Sequence, residues 1–127
     1  MPKIKVLIVD DHAPVRSLLK QLLEADREIE VVGEACDGLE AIDLTSQLQP
    51  NVIVMDIAMP RMNGLDATRS IRQKWPAVSV ILVTGMASES YNQVVELCGA
   101  QAFLPKENMG ALLLRTVHRV VQAAMIH

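Results

Sequence analysis

The residues of this chain best suited to chemistry are three aspartates, a threonine and a lysine that stand at the ends of apolar segments. They are Asp10, Asp11, Asp56, Thr84 and Lys106. Packing alone does not require polar side chains at such places, and in an open α/β sheet the carboxyl ends of the strands border the ligand crevice. Carboxylates, a hydroxyl and an amine that meet there would suit a divalent cation and a phosphoryl group.

The adjacent pair Asp10-Asp11 is the strongest sign of a metal site. Two like charges side by side at a strand end repel each other, and partial burial adds to the cost. A divalent cation would remove this cost, and Mg²⁺ prefers hard oxygen ligands. The alternatives are a helix cap for either aspartate, a solvated loop lysine for Lys106 and an ordinary strand residue for Thr84. The addition of Asp56 makes a joint site the favoured interpretation.

The segments that must position these residues alternate between strand and helix patterns five times. The predicted strands are Ile4–Asp10, Ile29–Ala35, Asn51–Met55, Val78–Val83 and Ala102–Pro105. The predicted helices are Pro14–Ala25, Gly38–Leu48, Leu65–Lys74, about Ser88 to Cys98 and about Asn108 to Ala124. Alternating βα units with strands rich in Val and Ile predict a parallel sheet covered by helices on both faces.

The predicted fold class is α/β, and we take the sheet to be doubly wound: five parallel strands in the order 2-1-3-4-5 with five helices, a flavodoxin-like architecture. In that order the first and third strands are neighbours at the point where the strand order reverses. Asp56 then lies beside Asp10 and Asp11, with Thr84 one strand away and Lys106 two strands away.

Two helices carry apolar faces from which separate predictions follow. In the first helix the core-facing stripe is predicted to be Val15, Leu18, Leu19, Leu22 and Leu23, with Arg16, Lys20 and Glu24 facing away. In the last helix the apolar residues Leu113, Leu114, Val117, Val120, Val121, Ala124 and Met125 cover more than a narrow stripe, and Leu112 lies outside it. That breadth fits a partner surface and a generous core contact equally well.

Composition excludes several classes of function. At 127 residues and a net charge of −3, with no block of Lys or Arg, the chain is a single domain that is a poor candidate for binding nucleic acid by itself. Its apolar runs are far shorter than the ~20 residues of a membrane span, and its charged N-terminus does not resemble a signal peptide. Cys36 and Cys98 form no zinc motif and are predicted to be reduced, mostly buried thiols of a cytoplasmic protein.

The motifs together resemble those of a bacterial response-regulator receiver domain, with a CheY-like fold, over essentially the whole chain, 1–127. The matching segments are VLIVDDHAPVR with Asp10 and Asp11, VIVMDIAMPRMNGLDATRSIR with Asp56, VILVTG with Thr84, and GAQAFLPKE with Phe103 and Lys106. The segment after Asp56 most resembles receivers of LuxR/NarL-type transcriptional regulators, whose C-terminal helix-turn-helix domain would lie outside this chain.

The resemblance implies a phosphoacceptor signalling domain rather than an enzyme in its own right. Asp56 would accept a phosphoryl group from a sensor histidine kinase, and a Mg²⁺ ion, or Mn²⁺ in its place, would be held by Asp10, Asp11, Asp56 and the backbone carbonyl of Ala58. Lys106 would pair with the phosphoryl oxygens. A carboxylate nucleophile assisted by a metal and a lysine agrees with the general chemistry of phosphoryl transfer.

The same resemblance implies a switch and a partner. Thr84 would turn inward to bind the phosphoryl group and Phe103 would turn with it, although packing in the core would also explain Phe103. Phosphorylation would then favour a homodimer, either through the last helix or through the face formed by the fourth helix, the fifth strand and the fifth helix. Contact with DNA, and hence regulation of transcription, would require an output domain outside this chain.

The chain departs from the common receiver pattern around the proposed phosphorylation pocket. Pro105 precedes Lys106, whereas many receivers have proline directly after this lysine, so the loop geometry is expected to differ. Ala58 and Met86 stand where the family often has polar residues. Two apolar side chains there would hinder the positioning of an attacking water, which predicts a long-lived aspartyl phosphate.

Three other interpretations remain to be compared with this one. A receiver-like module that binds partners independently of phosphorylation would not need the full set of site residues. A Mg²⁺-dependent phosphatase of the haloacid-dehalogenase type would resemble a DxD pattern, whereas Asp10 and Asp11 have no spacer. A nucleotide or flavin binder would need a glycine-rich loop after the first strand, where this chain has DDHAPVR.

Overall fold

A computed structural model of the chain describes residues 2–85 and 98–126. The strands are β1 (Ile4–Val9), β2 (Ile29–Ala35), β3 (Val52–Asp56), β4 (Ser79–Thr84) and β5 (Ala102–Pro105). The helices are α1 (Ala13–Glu24), α2 (Gly38–Leu48), α3 (Gly64–Lys74) and α4 (Met109–Ile126), and a 3₁₀ helix covers Lys106–Asn108. The described residues thus contain four α-helices where five were predicted. The predicted fourth helix, about Ser88 to Cys98, lies outside the described residues except at Cys98.

The five strands form one parallel sheet in the order β2-β1-β3-β4-β5, as predicted. Val9 pairs with Met55, and Asp56 pairs with Val83. Thr84 pairs with Pro105, the residue before Lys106. This register brings the carboxyl ends of β1, β3, β4 and β5 to one edge of the sheet.

Alternating side chains of the buried strands form a core on each face of the sheet. In β1, Val6 and Ile8 lie in the core covered by α1 and α4, while Leu7 and Val9 lie in the core covered by α2 and α3. All six residues of β4 are buried. Strands that are buried on both faces give the continuous Val- and Ile-rich runs of a doubly wound sheet.

Side-chain caps fix the starts of two helices, but not the start of α1. The Asp37 carboxylate accepts the Glu40 N–H at 2.9 Å at the start of α2, and the Asn63 side chain accepts the Asp66 N–H at 2.9 Å at the start of α3. At α1 the capping residue is His12, which makes no side-chain cap bond. The alternative in which Asp10 or Asp11 caps α1 is therefore wrong.

The predicted apolar stripe of α1 is wrong at two positions. Leu18 is 47% exposed, whereas Arg16, which was predicted to face away from the core, is partly buried. At about 100° per residue, Leu18 stands about 100° around the helix from the buried Leu19, but Arg16 stands only about 60° from it. The stripe is centred on Leu19 and Leu23, and Leu18 lies beyond its edge.

The two cysteines differ in exposure, which corrects another expectation. Cys98 is buried as predicted, but Cys36 is exposed, because it lies in the loop after β2 rather than in a core element. Among the described residues, neither cysteine takes part in a disulfide bond.

The apolar residues of α4 divide between the core and the solvent. Leu113, Val117 and Val120 are buried in the core beside α1, whereas Ala124 is exposed and Met125 is 81% exposed. Core packing therefore accounts for the first part of the stripe and leaves its end uncovered. Within the described part of the chain, no helix has the length and apolar character needed to cross a membrane.

Candidate functional site

Three predicted metal ligands converge at the carboxyl end of the sheet. Asp10 directly follows β1 and Asp56 is the last residue of the neighbouring strand β3. One carboxylate oxygen from each of Asp10, Asp11 and Asp56 lies within 4.8 Å of the other two. Asp10 and Asp56 are buried, whereas Asp11 is exposed. The cluster is therefore open to solvent on the side of Asp11.

Several hydrogen bonds hold Asp10 in place. Its backbone N–H donates to the Ala35 carbonyl at 3.0 Å, and its carboxylate accepts the His12 N–H at 2.8 Å. Its carbonyl accepts the Arg16 guanidinium at 2.6 Å. The side chain of His12 is exposed.

Lys106 reaches the cluster from the far side of β4. Its Nζ lies 3.4 Å from Asp56 Oδ2 and 3.6 Å from Asp10 Oδ2. Pro105 ends β5 in an extended conformation, with φ −70° and ψ 140°, and the 3₁₀ helix begins at Lys106. The reversed order of proline and lysine therefore still lets the ammonium group contact two of the three carboxylates.

The environment of Asp56 is unfavourable for its own charge. Burial, and next the charge of Asp10, raise the pKa of the Asp56 carboxyl. The Lys106 charge and hydrogen bond, and a backbone N–H bond from Ala58, act in the opposite direction but do not cancel the rise. Lys106 thus offsets the combined effect of burial and the Asp10 charge only in part. A divalent cation fits this donor set, since it supplies the missing positive charge and accepts hard oxygen ligands.

The loop after Asp56 is tightly constrained, which the sequence alone did not reveal. A Cβ at Gly64 would stand 2.3 Å from the Asp56 carbonyl oxygen, so only glycine fits there. Arg61 has φ 64°, in the left-handed region that costs a non-glycine residue strain. Its guanidinium forms a salt bridge with the buried Asp37 carboxylate at 2.7 Å. The Gly38 N–H donates to the backbone carbonyl of Met62 at 3.1 Å. The N-terminus of α2 therefore anchors this loop.

The remaining predicted site residues lie around the cluster in different settings. Thr84 is buried at the end of β4, and Phe103 is partly buried on β5 in the core beside α3. Ala58 is exposed in the loop after β3. Met86 lies outside the described residues. Thr84 ends β4, the strand next to the one that ends at Asp56, and pairs with Pro105, the residue before Lys106. Its role as a switch remains a prediction.

A second group of polar side chains lies away from this site. His118 of α4 bonds the Asp26 carboxylate through Nε2 at 2.7 Å, and its Nδ1 lies 3.8 Å from Glu28. Asp26 and Glu28 belong to the turn before β2, and so lie at the amino end of the sheet. The hydrogen bond from His118, followed by the Glu28 N–H, lowers the pKa of Asp26.

Comparisons with known proteins place most of the chain in one family. A family model described as the response regulator receiver domain matches residues 6–118. The solved structure of a LuxR-family two-component response regulator from Aurantimonas superposes with a TM-score of 0.91 at 29% identity, covering 95% of this chain and 86% of the other. The response regulator domain of CheB from Thermotoga maritima superposes with a TM-score of 0.88 at 34% identity, covering 94% and 97%.

Curated relatives are longer than this chain. A protein-glutamate methylesterase/protein-glutamine glutaminase from Pyrococcus horikoshii is 40% identical across 98% of this chain, which covers 36% of that protein. The transcriptional regulatory protein DegU from Brevibacillus brevis is 40% identical across 98% of this chain, which covers 53% of that protein. The family match, the parallel sheet and the acidic cluster agree, and the chain belongs to the response regulator receiver domain family.

Proposed function

We propose that Asp56 is the phosphoacceptor of a two-component signalling system and takes its phosphoryl group from a sensor histidine kinase. The observation that carries this proposal is the contact of Lys106 Nζ with both Asp56 and Asp10, at 3.4 and 3.6 Å. An ammonium group shared by a buried carboxylate and its acidic neighbour is well placed to donate hydrogen bonds to the oxygens of an incoming phosphoryl group.

In the proposed reaction, an Asp56 carboxylate oxygen attacks the phosphorus of the kinase phosphohistidine. The O–P bond forms, the P–N bond breaks, and the imidazole leaves with the electron pair and takes up a proton. Transfer to an anion is slow unless the charge on the phosphoryl oxygens is offset. Lys106 contributes part of that positive charge. Burial of Asp56 excludes much of the competing water.

The metal proposed for this site is Mg²⁺, with Mn²⁺ as a substitute of similar ligand preference. Asp10, Asp11, Asp56 and the backbone carbonyl of Ala58 would hold it. When bound, it neutralises charge on the carboxylates and on the transferred phosphoryl group. The crowding of carboxylates and the raised pKa of Asp56 support this assignment.

Phosphorylation is proposed to act as a switch through Thr84 and Phe103. The modification adds up to about two negative charges and strong hydrogen-bond acceptors. The Thr84 hydroxyl would bond to the phosphoryl group, Phe103 would turn inward, and a dimer or output surface near β5 and α4 would change. Relatives that are named transcriptional regulators support transcription as the output, and relatives named methylesterases support control of an attached enzyme as a second candidate.

Intact mass after incubation with acetyl phosphate and Mg²⁺ tests the proposal. Acetyl phosphate stands in for the kinase, and one phosphoryl group adds about 80 Da. We expect a metal-dependent adduct in the wild-type chain and in Asp43→Asn, which removes an exposed carboxylate on α2. We expect none in Asp56→Asn.

Each alternative result has a defined meaning. An adduct that persists in Asp56→Asn would show that another residue is the nucleophile. The absence of an adduct in a folded wild-type chain, while a known receiver is labelled in parallel, would favour an interaction module that works independently of phosphorylation.

A further inference from the structure

Arg16 links three parts of the fold directly beneath the acidic cluster. It lies in the first turn of α1, and its side chain is only 21% exposed. Its Nη1 donates to the Asp10 carbonyl at 2.6 Å, and its Nε donates to the Glu34 carboxylate on β2 at 3.3 Å. One guanidinium thus joins α1, the β1–α1 loop and β2.

These contacts fix the backbone on both sides of Asp11. The Asp10 carbonyl belongs to the peptide that joins Asp10 to Asp11, and Arg16 holds that peptide. The next peptide carries the His12 N–H, which the Asp10 carboxylate holds at 2.8 Å. The exposed Asp11 side chain therefore projects from a backbone whose two flanking peptides are both held in place.

We propose that Arg16, oriented by Glu34, is a positioning residue that holds Asp10 and Asp11 in the geometry required for the divalent cation. This inference rests on the proposed function, because it assigns Arg16 to the same metal site. A ligand set held in place before the ion arrives loses less entropy on binding. Residues that orient metal ligands typically change metal affinity about 10- to 100-fold when they are replaced.

The charge of Arg16 allows its positioning role to be separated from simple electrostatics. Removing a cation near the acidic cluster should strengthen the attraction of the carboxylates for a divalent ion. A purely electrostatic role therefore predicts tighter Mg²⁺ binding in Arg16→Gln. A positioning role predicts weaker binding. The sign of the change in Kd distinguishes the two.

Isothermal titration of Mg²⁺ into the unphosphorylated chain is the experiment, with hydrogen exchange of the His12 amide as a second measurement. We expect Arg16→Gln to raise the Kd about tenfold and to speed exchange of the His12 amide. Arg16→Lys keeps the charge but loses the forked donor geometry, and we expect it to raise the Kd as well. Glu34→Gln should act in the same direction by a smaller factor.

Arg72 provides a matched control for loss of an arginine that bonds carbonyl groups. It donates to the carbonyls of Pro76 and Val78, before β4, and of Gly99, before β5, so it lies at the amino end of the sheet, opposite the cluster. We expect Arg72→Gln to lower stability without changing the Kd for Mg²⁺.

The outcomes separate this inference from the proposed function. An unchanged or lower Kd in Arg16→Gln and Arg16→Lys, beside a wild-type chain that binds Mg²⁺, would overturn the inference alone. An equal rise in Arg72→Gln would also overturn it, because the effect would then follow general loss of stability. A folded wild-type chain that binds no Mg²⁺ would overturn the proposed metal site itself. If Arg16→Gln does not fold, Arg16→Lys decides the question, because it keeps the charge and only a positioning role predicts a higher Kd for it.

Discussion

Replacement of Gly64 by alanine tests how closely the fold surrounds Asp56, the proposed phosphoacceptor. The added methyl group would lie 2.3 Å from the Asp56 carbonyl oxygen, 3.0 Å from Ile57 Cα and 3.1 Å from the Asp56 carbonyl carbon. All three obstacles are backbone atoms, which cannot turn aside as a flexible side chain can. The Asp56 carbonyl would have to move by roughly 1 Å to restore ordinary contact. Overpacking of this kind costs about 1–3 kcal/mol in the free energy of unfolding.

Urea unfolding followed by the fluorescence of Trp75, the single tryptophan, measures this cost. Trp75 is partly buried at the end of α3, the helix that begins at Gly64, so it reports on the affected element. A loss of about 2 kcal/mol would lower the urea midpoint by about 1 M. The displaced Asp56 should also be labelled more slowly by acetyl phosphate.

Gly110→Ala is the matched control for this substitution. A Cβ at Gly110 meets no atom within 4 Å, and the residue lies in the first turn of α4. Alanine there should leave stability unchanged or raise it by up to about 1 kcal/mol, because alanine favours the helix. Equal stability of Gly64→Ala and the wild-type chain would refute the reasoning, since it would mean that the loop after β3 yields without cost.

Two further predictions concern pH dependence and the lifetime of the phosphorylated state. The pKa of Asp26 is lowered in the folded chain, chiefly by the hydrogen bond from His118, so the ionised carboxylate stabilises the fold fully above the unfolded pKa of about 3.9 and loses this effect as the pH falls through the lower folded pKa. The difference in the free energy of unfolding between wild type and Asp26→Asn, measured with urea, should therefore be present at neutral pH and disappear below about pH 4. A difference that stays constant with pH would contradict this. Ala58→Asn and Met86→Glu, singly or together, should speed loss of the phosphoryl group in a time course of intact mass, and an unchanged rate would refute the predicted long lifetime.

Strand positions were predictable from the sequence because burial on both faces of the sheet leaves a continuous apolar signal. The bounds of β5 and α2 agree with the prediction, and those of β3 and β4 each lie one residue further along the chain. Once the strand order was assumed, the meeting of Asp10 with Asp56 followed from the topology alone. The periodic pattern therefore predicted the strands, and the assumed strand order predicted the location of the cluster.

Contacts that depend on exact angles and close approaches were not predictable in the same way. Arg16 was assigned to the outer face of α1, because charged residues usually face solvent. Its long side chain instead reaches the Asp10 carbonyl, a contact that no local pattern indicates. The pairing of Arg61 with Asp37 joins residues 24 positions apart and depends on a left-handed residue within a loop. Such contacts arise from the tertiary arrangement, and they are the ones that hold the site in shape.

The shared contact of Lys106 suggests how a charge change at Asp56 could reach the surface. The Lys106 ammonium group contacts both Asp56 and Asp10. Added negative charge at Asp56 would therefore draw the ammonium group toward Asp56 and away from Asp10. The residue opens the 3₁₀ helix Lys106–Asn108, which continues without a break into α4. The first residue of α4, Met109, is buried in the core. A movement of Lys106 would therefore act directly on the start of α4, whose other end carries the exposed Met125.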